Sequence, residues 1–125
     1  MLDRTPIVSR DLDAARRFYA ATARPLGLAI IEAQEDSFTL GRLNDTNAPV
    51  LRVKRASDVG ELESCGQVEI EAPDDYTVRA FYRAALEAGG RQVGYPAPQP
   101  TTVGSYYAAR VEDPDGNCIE CGWRH

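Results

Sequence analysis

Three stretches of the chain carry side chains whose types and spacing could do chemistry. DPDGNCIECGW, Asp113–Trp123, holds Glu120 between Cys118 and Cys121. QVEIEAP, starting at Gln67, alternates Gln67, Glu69 and Glu71 with Val68 and Ile70. MLDRTPIVS, at the N-terminus, places Arg4 two residues before Pro6. Every second side chain of a strand shares a face. Gln67, Glu69 and Glu71 therefore point one way, and so do Cys118, Glu120 and Gly122, while Ile119, Cys121 and Trp123 turn to the other side. The same parity groups Arg4 with Pro6 and Val8. Two carboxylates in different surroundings can divide the roles of acid and base, so Glu69 and Glu120 are the candidate catalytic groups. Arg4, Gln67, Glu71, Cys118 and Tyr106 are the candidate ligand-binding groups. A guanidinium matches a carboxylate in a fork geometry, which makes Arg4 the expected partner of Glu120.

The remaining reactive residue types count against other chemistries. Cys118 and Cys121 form a C-x-x-C, but three residues apart on a strand their thiols face opposite sides, and no second Cys/His pair completes a zinc site. Three cysteines, an odd count without an export signal, read as free, packed thiols. The single histidine, His125, is the last residue and reads as a solvated tail.

These groups must be positioned by a chain of 125 residues, enough for one domain with a core. The net charge of −5 disfavours nucleic acid, which needs a basic patch. The longest uncharged apolar run, PLGLAII, is far too short for a membrane span. The charged N-terminal MLDRTPIVSRD is unlike a signal peptide, so a cytoplasmic protein is expected.

An internal repeat organises the chain. DLDAARRFYAATARPLG aligns with DDYTVRAFYRAALEAGG at a constant offset of 63 (74 minus 11). Asp11 matches Asp74, Arg16 matches Arg79, Phe18-Tyr19 matches Phe81-Tyr82, and Gly27 matches Gly90. Each copy predicts an amphipathic helix, with Ala15, Phe18, Tyr19, Thr22 and Leu26 on one stripe and Val78, Phe81, Tyr82, Ala85 and Leu86 on the other. Asp11 and Asp74 suit the N-caps, and the glycines that follow suit left-handed C-caps. RTPIVS precedes the first helix and LAIIEAQ, SFTLGRL and PVLRVKR follow it. QVEIEAP precedes the second, and RQVGYP, SYYAARVE and NCIECGW follow. QED, NDTNA and DPDGN read as turns, and PAPQPTTVG as a proline-rich loop at an edge. The order is β-α-β-β-β twice, an α+β mixed-sheet fold in a single domain, with module 1 at about 1–56, a linker at about 57–65 and module 2 at about 66–125.

A tandem β-α-β-β-β chain with DLDAARRFY, VRAFYRAALEAGGR and YYAARVEDPDGNCIE resembles the vicinal oxygen chelate superfamily, in its glyoxalase/bleomycin resistance/dioxygenase branch. The resemblance implies a curved, cup-like mixed sheet built from both modules, with the site inside it, and homodimeric assembly. It also implies a divalent metal held by a His on the first strand and an acid or His on the last strand of each module. Those positions fall at Arg4, Gln67, Glu120 and within PVLRVKR, which offers no donor. Only Glu120 survives, and Arg4 would repel a cation, so no metal or other cofactor is expected.

The resulting expectation is a glyoxalase/bleomycin-resistance-like protein that binds a small organic molecule in a metal-free cup. Nucleic-acid and membrane partners are not expected. The alternative is an enzyme of the superfamily, a lactoylglutathione-lyase-like lyase or isomerase or a dioxygenase. It would use carboxylate acid–base chemistry, with Arg4 or Gln67 steadying an oxyanion, or a non-standard metal site. A third possibility is a scaffold without a small ligand.

Overall fold

A computed structural model of the protein describes residues 7–43, 49–57, 66–101 and 103–125. Arg4, Pro6, the NDTNA turn, Cys65 and nearly all of the linker lie outside the described residues. The elements are β1 (Ile7–Ser9), α1 (Leu12–Ala23) ending in a 3-10 turn (Arg24–Leu26), β2 (Leu28–Ala33), β3 (Ser37–Arg42) and β4 (Pro49–Arg55). After the linker come β5 (Gln67–Glu71), α2 (Asp75–Glu87), β6 (Arg91–Pro98), β7 (Tyr106–Glu112) and β8 (Cys118–Arg124).

Local chemistry explains the helices. The Asp11 side chain accepts from the Ala14 N–H and the Asp74 side chain from the Thr77 N–H, filling two orphan donors at the first turns. Pro25 converts the end of α1 into the 3-10 turn, which Gly27 closes at φ 71°. The second helix departs from the repeat here. Gly89 takes the left-handed conformation at φ 101°, so the functional match of Gly27 is Gly89 and not Gly90. Gly90 is small for another reason, since a Cβ there would press on Phe18 of α1 and on the carbonyls of Ala85 and Glu112.

Each module makes its own four-stranded mixed sheet, in the orders β1-β4-β3-β2 and β5-β8-β7-β6. In both, the first and last strands pair in parallel and the others antiparallel. The helix stripes pack on one face of the sheets. Phe18, Tyr19, Phe38, Val53, Val78, Phe81, Ile119 and Cys121 are at most 1% exposed. The edge strand β6 runs to Pro98, two residues further than RQVGYP suggests, pairing Ala97 with Ala108 and Pro98 with Tyr107. Prolines are tolerated there because an edge strand leaves one row of N–H positions unpaired. No helix among the described residues is long and apolar enough to cross a membrane.

The two modules meet through α1 and α2 and through one buried polar node. Asp113 and Asn117, the first and last residues of the DPDGN turn, are each 2% exposed. Asp113 Oδ1 accepts from the Asp115 and Asn117 N–H groups at 2.8 and 2.9 Å. Its Oδ2 accepts from the Tyr19 hydroxyl of α1 at 2.6 Å and from Asn117 Nδ2 at 2.9 Å. Asn117 Nδ2 also donates to the Val8 carbonyl of β1, and its Oδ1 accepts from the Gly66 N–H. A buried carboxylate is tolerable only when it is fully hydrogen-bonded, and four donors achieve that. Burial, with the Asp113 charge second, raises the Tyr19 phenol well above its ordinary range, so it remains a donor.

Tyr19→Phe removes one of these donors and keeps the ring. Urea unfolding is expected to show a loss of about 1–3 kcal/mol, the cost of leaving a buried acceptor short of a partner, with an unchanged m-value. A loss below about 0.5 kcal/mol, the scale of ordinary surface substitutions, would show the node to be incidental.

Candidate functional site

The face of the second sheet turned away from α2 can be read as cross-strand rows. Register pairs Arg91 with Glu112 and Glu112 with Cys118, and Cys118 with Gln67, giving the first row. The second row runs Gly94, Arg110, Glu120, Glu69, and the third Ala97, Ala108, Gly122, Glu71. Tyr106 and Arg124 pair beyond them. The parity expected of the sequence holds for β5, where Val68 and Ile70 are buried and Gln67, Glu69 and Glu71 exposed. Gln67, Glu69, Glu71, Cys118, Glu120 and Tyr106 thus share one face.

Glu120 is the hub of that face. Its Oε1 accepts from Arg110 Nε at 2.6 Å and its Oε2 from the Tyr106 hydroxyl at 2.6 Å. The third row explains how Tyr106 reaches so far. A Cβ at Gly122 would collide with the Tyr106 ring and hydroxyl, so the ring lies directly over Gly122 on its way to Glu120. The Arg124 guanidinium lies over the same ring, 4.1 Å from its centroid. Arg91 pairs with Glu112 at 2.7 Å. Glu69 and Glu71 have no ion-pair partner among the described residues.

Burial would raise the Glu120 carboxyl, but the hydrogen bonds from Tyr106 and Arg110, with the charges of Arg110 and Arg124, outweigh it and hold the group below the ordinary range. Burial and the hydrogen bond to Glu120 raise the Tyr106 phenol well above its usual range, so it stays neutral and donates. The same carboxylate raises Arg110. Burial raises the Cys118 thiol and pushes Cys121, on the opposite face, up to about 12. Both are therefore poor thiolates.

The partner expected of Glu120, Arg4, lies outside the described residues, and both carboxylate oxygens are engaged by residues that sequence reading did not assign to that role. Arg110 was missed although the register was countable. A turn spanning residues 113–117 sets Glu112 opposite Cys118 and hence Arg110 opposite Glu120. Tyr107, one residue from Tyr106, points to the helix side, where it meets Arg79. Tyr95 is 69% exposed on the edge strand.

The fit to a divalent metal is poor. A metal at Glu120 would have to displace a guanidinium and a phenol proton, and a resident guanidinium repels it. The first module gives no help. With the 63-residue offset Ile7 corresponds to Ile70, and their register partners are Val53 and Cys121, so the position equivalent to Glu120 is Arg52. No group of three or more His, Cys, Asp or Glu among the described residues could hold a metal ion.

No family model matches the sequence, and no curated protein matches it. Solved structures do match. A glyoxalase/bleomycin resistance protein from Albidiferax ferrireducens aligns with a TM-score of 0.77 at 22% identity, over 96% of each chain. A glyoxalase/bleomycin resistance protein/dioxygenase family enzyme from Burkholderia phytofirmans aligns with a TM-score of 0.69 at 17% identity, over 97% of this chain and 96% of that one. A bleomycin resistance determinant encoded on the transposon Tn5 aligns with a TM-score of 0.64 at 23% identity, over 99% of both. The chain has the glyoxalase/bleomycin-resistance fold that its tandem repeat implies.

Two measurements test this geometry. Gly122→Ala should destabilise the protein by about 1–3 kcal/mol through overpacking against Tyr106. In a Tyr106→Ala background that cost should fall below about 0.5 kcal/mol, and an undiminished cost would place the ring elsewhere. Glu120 has a depressed pKa, so its contribution is present above its ordinary value of 4.5 and lost as pH falls through the lower folded value. Glu120→Gln should accordingly flatten the acid limb of the stability–pH curve below that point, and an acid limb identical to that of the parent protein would contradict the Tyr106–Glu120–Arg110 contacts.

Proposed function

We propose that the protein binds a cationic or aromatic small molecule on the open face of the second sheet, without a metal. One observation carries this reading. The carboxylate that would serve a metal is hydrogen-bonded on both oxygens, whereas Glu69 and Glu71 stand unpaired among the described residues beside an aromatic ring. A hollow of about 150 Å³, lined by Glu69, Ile70, Glu71, Tyr106, Gly122 and Arg124, lies at that place. The Arg124 guanidinium already lies over the Tyr106 ring, so the attraction for a ligand cation comes from the Glu69 and Glu71 carboxylates that line the hollow. The structural neighbours include a bleomycin resistance determinant, which fits a binding role. Acid–base catalysis is the weaker reading, because Glu120 is held ionised and bound from two sides, which leaves Glu69 as the freer base.

The open face also suits a second copy of the chain as its cover. The first module presents Arg52 where the second presents Glu120, so a homodimer that crosses the modules would bring opposite charges together.

Benzamidine, a planar aromatic cation, tests the binding reading. Saturation at about a hundred times Kd is worth about 2.7 kcal/mol, which for a domain of this size raises Tm by several degrees. Glu69→Gln with Glu71→Gln should abolish most of that rise. No rise with benzamidine or a wider set of aromatic amines, or a stoichiometric divalent metal in protein purified without chelator, would overturn the proposal.

A further inference from the structure

The second row of the open face, Arg110–Glu120–Glu69, has a polarity that the cation seat alone does not use. Arg110 spends Nε on Glu120 at 2.6 Å. Its two Nη groups make no hydrogen bond or ion pair among the described residues, and its side chain is 53% exposed. The guanidinium is therefore held in one place while its fork remains available. On its other flank, in the same row, stands Gly94, where even an added Cβ would meet nothing closer than Arg110 Cβ at 3.8 Å. The fork thus has open space beside it, and a guanidinium already fixed loses less freedom when it binds.

We infer that this row is an oxyanion subsite coupled to the cation seat, so that the ligand it selects is a small zwitterion whose carboxylate meets the Arg110 fork and whose ammonium meets Glu69. The inference rests on the open face being the binding site. The reason for a zwitterion is the charge order along the row. A lone anion at Arg110 also faces Glu120 and Glu69, with Glu112 and Glu71 in the rows on either side. A lone cation at Glu69 faces Arg124 across the hollow. A molecule with both charges lies along the field in a single sense. Arg110 and Glu69 are two strand steps apart, about 10 Å between Cα positions. Glu120 fills the space between the two heads, so the ligand lies above the row, held at each end by charge-assisted contacts of about 2.8 Å, with its charges up to about 10 Å apart. An ω-amino carboxylate with a short methylene spacer falls in that range.

The probes are 6-aminohexanoate, hexanoate and hexylamine, titrated against the intact protein and followed by the backbone amide signals and the arginine Nε–Hε signals. 6-Aminohexanoate is expected to shift the Arg110 Nε–Hε signal and the Tyr106 amide, and to bind about tenfold more tightly than either single-charge probe, the scale of one added charge-assisted contact. Arg110→Lys keeps the charge but not the fork and should reduce 6-aminohexanoate to the level of hexylamine. Glu69→Gln should reduce it to the level of hexanoate. Arg110 is exposed, so an otherwise unchanged amide spectrum of Arg110→Lys shows that the fold is intact. Hexylamine binding as tightly as 6-aminohexanoate, with Arg110→Lys neutral, would overturn the oxyanion subsite and leave the cation reading standing. Hexanoate binding equally well and insensitive to Glu69→Gln would overturn the pairing of the two charges. Silence of all three probes together with benzamidine would overturn this inference and the binding site itself.

Discussion

The fold depends on a carboxylate that has no business being dry unless four donors meet it. Asp113 closes its own turn through the Asp115 and Asn117 amides and then reaches into the other module through Tyr19. Asn117 completes the joint by holding the Val8 carbonyl and the Gly66 amide. The strand that carries Glu120 begins at the next residue. The geometry of the site therefore inherits its origin from this node. A hairpin whose turn is bolted to α1 and β1 cannot slide, and a slip of one residue would turn every side chain of β8 to the other face.

Register then converts a turn into an electrostatic arrangement. Once Glu112 faces Cys118, Arg110 must face Glu120 and Ala108 must face Gly122. The small residues of that third row leave room for a tyrosine ring to lie flat, and the flat ring carries a hydroxyl to the hub. Tyr106 is positioned less by its own backbone than by the absence of a side chain at Gly122.

Much of this was legible in the sequence, for identifiable reasons. The 63-residue repeat gave the element order. Alternation in QVEIEAP and NCIECGW gave the facing of Gln67, Glu69, Glu71, Cys118 and Glu120, because buried strands must alternate. Asp11 and Asp74 stood where orphan amides require acceptors. The contacts of Tyr19 and Asn117 with residues 94 to 109 positions away were not legible, since no local pattern encodes a hydrogen bond between modules. The guanidinium–carboxylate match that makes Arg4 the expected partner of Glu120 fits Arg110 equally well. Counting across the DPDGN turn sets Arg110 opposite Glu120, within reach of its carboxylate. The helix ending at Gly89 shows the limit of a fixed offset, since a repeat can keep its spacing while moving the residue that must turn left-handed.

Arg52 stands in the first module at the position equivalent to Glu120 in the second, so the two modules differ in the sign of charge there. Duplicated halves with identical charges would be indifferent to which half of one molecule meets which half of another. Here the two halves carry opposite signs at the corresponding point, so the chain is electrically directional. A first-module face set over a second-module face brings unlike charges together, and a first-module face set over its own kind brings like charges together. The difference in charge between the two equivalent positions gives the molecule a sense of head and tail.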